Sequence, residues 1–189
     1  TLGLMATQKI KPKEGLYYII SQLIGSLLAG IALFVIFPKA PLSISLGTTL
    51  LNSTFGVTSS VGILVEAILT FLLMLTVFAL VFDKRNQTPL AGFAVGMVLS
   101  FSIMVGGPLT GAALNPARAF GPAVVSEVIA FMIGAQSAFG TAFSPQFFYT
   151  QLVYWIGPII GAIIAGLVYN NLLLGKEFKQ RKINKAKIE

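Results

Sequence analysis

The chain has 189 residues, of which 56% are hydrophobic and only 10% charged, with a formal net charge of +7. A soluble domain carries roughly 25% charged residues, so composition alone points to an integral membrane protein. Cysteine and histidine are both absent, which excludes disulfides, thiol nucleophiles, Cys/His zinc sites and imidazole acid–base chemistry.

Four apolar stretches are long enough for a bilayer core of about 30 Å, which takes roughly 20 helical residues. Helices are expected because backbone polar groups in lipid must be satisfied within the segment. After Lys9, Lys11 and Lys13 comes the first span, 14–37. The loop 38–60 is rich in Ser and Thr, carries Lys39, and contains the glycosylation sequon Asn52-Ser53-Thr54. The second span, 61–82, holds Glu66, read as the only carboxylate deep in a span. Lys84 and Arg85 separate it from a short third span, 90–107. The segment 106–147 has a single basic residue, Arg118. A fourth span, 148–173, precedes the basic tail 174–189 with Lys176, Lys179, Arg181, Lys182, Lys185 and Lys187.

Four alternating spans put every basic cluster on one side, which the positive-inside rule makes cytoplasmic. The tail reads as a solvated determinant of topology, with contact to anionic lipid as the alternative. Small residues recur at four-residue spacing, at Gly25/Ala29, Gly92/Gly96 and Gly157/Gly161/Ala165, as expected of close helix packing. QLIGSLLAG (22–30) and YWIGPIIGA (154–162) echo one another, and paired repeats are a common way to build a pathway around a mid-membrane site.

The chemistry concentrates in LNPARAF, 114–120. Asn is a strong N-cap and Pro is favoured at the first helical position, so Asn115-Pro116 starts a helix that runs through ARAFGPAVV, with Met132 as its furthest expected end. The preceding GGPLTG is expected to break the third helix and run extended into it. Irregular backbone at membrane depth is tolerated only inside protein or facing water. The carbonyls of Gly111, Ala112 and Ala113 then become acceptors in a row, and the free N–H groups of the helix start, including that of Ala117, aim a partial positive charge at the same place. An intramembrane arginine such as Arg118 marks a functional site by default. Glu66 either pairs with Arg118 or accepts N–H bonds from the irregular segment. The second is favoured, because a neutralising partner would cancel the field of Arg118.

TGAALNPARAFGPAV resembles the second Asn-Pro-Ala signature of the aquaporin family, the major intrinsic proteins. The resemblance covers nearly the whole chain. VGILVEAILTFLLMLTVFA is similar to the family's fourth helix with its glutamate at Glu66, LAGFAVG to its fifth, YWIGPIIGAIIAGLVY to its sixth and span 14–37 to its third. TLGLMAT at the start is similar to the stretch just past the family's first Asn-Pro-Ala motif. The resemblance thus implies an all-α membrane bundle of tilted helices with a re-entrant half-helix, 115–126, and four spans of an expected six. Residues 1–13 would hold the end of the first half-helix and a cytoplasmic loop. The chain would then be a fragment lacking the first two helices, unable alone to seal a channel.

The resemblance further implies that Asn115 donates its side-chain amide to water at the pore centre. Arg118 would sit at the outer constriction, with Ile103 and Ala112 at two further filter positions. The implied function is a passive channel for water that excludes protons and ions, with no cofactor, no metal and no nucleic-acid partner. A homotetramer in the cell membrane is implied as well. Small neutral solutes such as glycerol stay open as cargo, because water-selective members often carry histidine where Ile103 stands. Ala119 and Ala123 replace the Asp and Lys typical of glycerol facilitators, and Tyr154-Trp155 also resembles water channels, so water comes first. The apolar connection 127–146 is longer than in many members. It reads as packing on the outer rim or against a neighbouring subunit and has no functional account. The rivals are a secondary transporter and a structural or junctional membrane protein. An enzyme lacks any acid–base or metal constellation.

Overall fold

The computed structural model describes residues 1–38, 45–83, 85–86 and 88–174. Lys39, Lys84 and the basic tail beyond Leu174 lie outside the described residues. Among the described residues six α-helices form: α1 (Leu2–Ala6), α2 (Pro12–Ile36), α3 (Ser59–Val77), α4 (Ala91–Thr110), α5 (Pro116–Ile133) and α6 (Pro145–Val168). Both α3 and α6 widen into a final π-helical turn, at Phe78–Phe82 and Tyr169–Leu174. Among the described residues no β-strand forms beyond one isolated bridge between Ser137 and Gly140.

The helix starts obey local chemistry. Pro12 and Pro145 occupy first-turn positions, where a missing N–H costs nothing. The Thr58 hydroxyl accepts from Val61 N–H at the start of α3. Among the described residues, five helical stretches are long and apolar enough to cross a membrane, and α2 and α4 leave large apolar side chains such as Leu28, Val35, Phe93 and Met104 exposed. Such faces are suited to lipid or to further helices.

Two expected boundaries are corrected. The break expected in GGPLTG falls at its last residue, so the third span ends at Thr110 and not at 107: α4 continues through Gly106, Gly107 and Pro108. Pro108 is accommodated near the helix end, and the break falls at Gly111, whose φ of 77° is left-handed. The helix starting at Asn115 does not stop at 126. It runs to Ile133, because SEVIAFMI contains no breaker, and ends at left-handed Gly134. In consequence Glu66 is not the only deeply placed carboxylate: Glu127, on this extension, is also wholly buried.

Glycines set the closest helix contacts. A Cβ at Gly161 would lie 2.2 Å from Ala67 O, and one at Gly157 would lie 2.8 Å from Ile63 O, which fastens α6 to α3. A Cβ at Gly121 would lie 2.1 Å from Ser26 O, and one at Gly30 would lie 2.9 Å from Val125, which fastens α5 to α2. These contacts give α5 its depth. Gly121 meets Ser26, Val125 meets Gly30, and both pairs ascend together, so α5 runs parallel to the second half of α2. Its first residue therefore lies near the middle of the 25-residue α2. In the other direction, Gly3 of α1 packs on Ala162, and Thr7 packs on Gly166 near the far end of α6. Thus α1 and α5 diverge from the middle of the bundle towards opposite ends.

Candidate functional site

Five residues, 111–115, join α4 to α5 without regular structure. Gly111, Ala112 and Leu114 all have positive φ, at 77°, 46° and 53°. For non-glycine residues this conformation costs roughly 1–2 kcal/mol each, so something must hold it. Glu66, wholly buried in α3, accepts from Ala113 N–H at 2.9 Å through Oε1 and from Leu114 N–H at 2.8 Å through Oε2. The Thr110 hydroxyl donates to the same Oε1 at 2.6 Å and accepts from Ala112 N–H. The Tyr154 hydroxyl donates to Thr110 O at 2.7 Å. A charged acceptor receiving three donors is among the stronger arrangements available to a protein interior. Among the described residues the ion pair within 4 Å is Asp83–Arg85, far from this site.

With its N–H groups taken by Glu66, the segment leaves its carbonyls over. Among the described residues, no donor bonds the carbonyls of Gly111, Ala112 or Ala113. The Ala112 side chain itself is buried against Leu69 and Leu114, so this residue can present only backbone. Gly111 sits against Thr49.

Asn115 starts α5 with extended backbone, and its Oδ1 accepts from Ala117 N–H at 3.0 Å. That cap fixes the amide orientation and leaves Nδ2 as a donor. Asn115, Pro116 and Ala117 line a cavity of about 230 Å³, whose other walls include Gln22, Thr70 and Trp155. Thr70 is buried there with a hydroxyl that has no partner. The cavity is large enough for several waters and offers them polar atoms. Thr1 lies on the same cavity and accepts from the Gln22 amide at 2.8 Å, so α1 and α5 both begin at its wall.

Arg118 sits one turn further along α5. Its guanidinium donates to Gly47 O at 3.0 Å, in the loop after α2. Ile103 is not brought to the cavity; it lies two turns before the end of α4 with a half-exposed side chain.

Three contributors escaped sequence reading. Gly47, 71 positions from Arg118, carries no signal, since any residue has a carbonyl. Asn52 was visible only as a sequon, yet its Nδ2 donates to Pro108 O and its Oδ1 accepts from Thr54 and Phe55 N–H. Glu127 accepts from Phe143 N–H at 2.6 Å. A lone carboxylate within VSEVIAFMI was the available signal for it. The connection after α5 folds back on Ala123 through Phe139 and Phe147, which meet edge to face at 5.4 Å.

Comparison with known proteins places these features in a family context. A family model described as major intrinsic protein matches residues 1–169. Aquaporin TIP4-4 of Zea mays is 37% identical over 179 residues, covering 93% of this chain and 61% of the relative. Aquaporin-4 of Mus musculus is 30% identical over 190 residues, covering 98% of this chain and 51% of the relative. The chain thus spans little more than half the length of such relatives. Among solved structures, the X-ray structure of the aquaglyceroporin from Plasmodium falciparum superposes with a TM-score of 0.73 at 22% identity, covering 91% of this chain and 69% of the other. At that identity the likeness concerns the fold.

Proposed function

The chain belongs to the major intrinsic protein family, and from that premise we propose that it serves as a passive channel for water. It is an integral, multi-pass membrane protein with an all-helical bundle. The observation that carries the reading is the start of α5 at mid-depth, where Asn115 faces a cavity with a free amide donor.

The proposed passage works by exchange of hydrogen bonds. Water gives up part of its hydration and gains the Asn115 amide on one side and the carbonyls of Gly111, Ala112 and Ala113 on the other. A cation finds the same acceptors, but it also meets the positive end of α5 and the Arg118 charge. The Gly47 carbonyl holds Arg118 in place without neutralising it. Small neutral solutes such as glycerol remain open as secondary cargo, limited by width at the mouth where Arg118 meets the Gly47 carbonyl. Glu66 acts by support: it holds the backbone that presents the carbonyls. The basic segments face the cytoplasm of the cell membrane, and four copies assemble around the native axis.

Stopped-flow shrinkage of proteoliposomes carrying the full-length protein tests the proposal. Fast osmotic water loss with slow glycerol entry is expected; glycerol flux rivalling water flux would overturn the water-first assignment.

A further inference from the structure

The last four carbonyls of any helix lack partners within it. For α4, all four find one. Gly107 O accepts from Gly111 N–H at 3.0 Å, and Thr110 O accepts from the Tyr154 hydroxyl at 2.7 Å. The two between belong to Asn52: its side-chain amide donates to Pro108 O at 2.8 Å and its backbone N–H to Leu109 O at 2.9 Å. Asn52 also organises its own turn. Its Oδ1 accepts from Thr54 and Phe55 N–H at 3.0 and 3.3 Å, and its carbonyl accepts from Val57 N–H at 3.1 Å. Two of these bonds fix the loop on the helix end, and three hold the turn that presents them.

That loop is the one that holds Arg118. Five positions before Asn52 lies Gly47, whose carbonyl receives the guanidinium. Between them Thr49 is buried against Gly111, and Leu51 packs with Ala113 and Tyr154. On the other side of Gly47, Leu46 is plugged between Val125 and Ile129. The carbonyl is therefore held between an apolar plug on α5 and a polar pin on α4.

We propose that Asn52 is a positioning residue for Arg118: by tying the loop to the end of α4 it fixes the carbonyl that holds the guanidinium, and so sets the size limit at that mouth. The inference rests on the channel reading above. It makes Asn52 more than a helix cap, because a cap alone would stabilise α4 without altering which solutes pass.

The test compares wild type, Asn52→Asp, Arg118→Ala and the double variant, each as the full-length protein in proteoliposomes, reading glycerol and water permeability from the same vesicles. Asn52→Asp retains the acceptor for Thr54 and Phe55 but turns the donor towards Pro108 O into a second acceptor. Its glycerol-to-water ratio is expected to rise severalfold, and the double variant to match Arg118→Ala alone. If Asn52→Asp does not assemble, Asn52→Ser replaces it, since serine keeps an acceptor for the turn and loses the reach to Pro108. A wild-type ratio in the Asn52 variant, or an effect that adds to that of Arg118→Ala, overturns this inference and leaves the channel reading standing. A wild-type protein without osmotic permeability overturns the channel reading and this inference with it.

Discussion

Glu66 and Leu114 lie 48 positions apart and meet through a 2.8 Å hydrogen bond from backbone to carboxylate. The bond spans the step from α3 to a segment that has no helix or sheet to satisfy it. Glu66→Gln keeps the shape and loses the charge. One of its two terminal atoms becomes a donor facing Ala113 or Leu114 N–H, so a buried donor goes unpaired at about 1–3 kcal/mol. Lower thermal stability in detergent and reduced osmotic permeability are expected together. A variant as stable and as permeable as wild type would remove Glu66 from its supporting role.

Asn115 has two separable tasks. Its Oδ1 caps α5 by accepting from Ala117 N–H, and its Nδ2 is left for the cavity. Asn115→Ala loses both, with a capping cost of about 1 kcal/mol. Asn115→Asp keeps the cap and replaces the donor by an anionic oxygen, which the helix start tolerates. The Asp variant should therefore retain stability while cation exclusion weakens. Conductance of Asn115→Asp vesicles under a potassium gradient checks this, and an unaltered barrier to cations would argue against an amide donor at the cavity.

Arg118→Ala removes the guanidinium that Gly47 O receives. Both the local charge and the bulk at that mouth are lost, so glycerol entry and cation leak should each increase. Flux assays with glycerol and potassium on the same preparation measure the two effects. Selectivity equal to wild type would sink the proposed role.

How much of this was legible depends on whether a feature is written in local pattern. The Asn115-Pro116 start was legible because cap and first-turn preferences act within three residues. Glu66 stood out because a carboxylate in an apolar run needs partners, and the unladdered segment 111–114 supplied donors. The spacing of small residues was a weaker guide. Gly157 and Gly161 make close contacts, whereas Gly25, Gly92 and Gly96 meet nothing within 4 Å in this chain, and spacing alone does not tell these apart. The loop carrying Gly47 and Asn52 was not legible. Its bonds run to backbone carbonyls of α4 and to a side chain of α5, and such partners leave no trace in residue type. The half-helix bound at 126 fell short because the recognisable motif ends at Val124, whereas the longer reading to Met132 comes within one residue of Ile133, where the helix stops before left-handed Gly134.

Gly121 offers a test of the depth of α5. A Cβ there would lie 2.1 Å from Ser26 O and 2.2 Å from Ser26 C. Both atoms belong to backbone and cannot swing aside. Gly121→Ala must push α5 away from α2, and overpacking of this kind typically costs about 1–3 kcal/mol. The shift would be felt at Asn115 and Arg118 on the same helix. Reduced thermal stability with loosened selectivity is expected. A fully stable, fully selective alanine variant would contradict the parallel packing of these helices.

At the opposite end of the bundle, Asp83 joins α3 to α6. It is buried, receives the Arg85 guanidinium at 2.5 to 3.0 Å, and accepts from the Tyr169 hydroxyl, whose ring stacks on Phe78 at 6.0 Å. The hydrogen bonds from Arg85 hold the carboxyl well below the usual carboxylate range, against the opposing effect of burial. A carboxylate with a depressed folded-state pKa contributes stability that is complete above its unfolded pKa and is lost as pH falls towards the folded one. The junction should therefore contribute constantly from about pH 8 to about pH 5 and weaken only below about pH 4, the ordinary range of aspartate. Asp83→Asn removes the titrating group. Its melting temperature should be lower than that of wild type at neutral pH, and the gap should narrow on acidification. A gap that stays constant down to about pH 3, below the ordinary aspartate range, would show that ionisation of Asp83 adds nothing to stability; a gap that widens in acid would show that the charge on Asp83 opposes the fold.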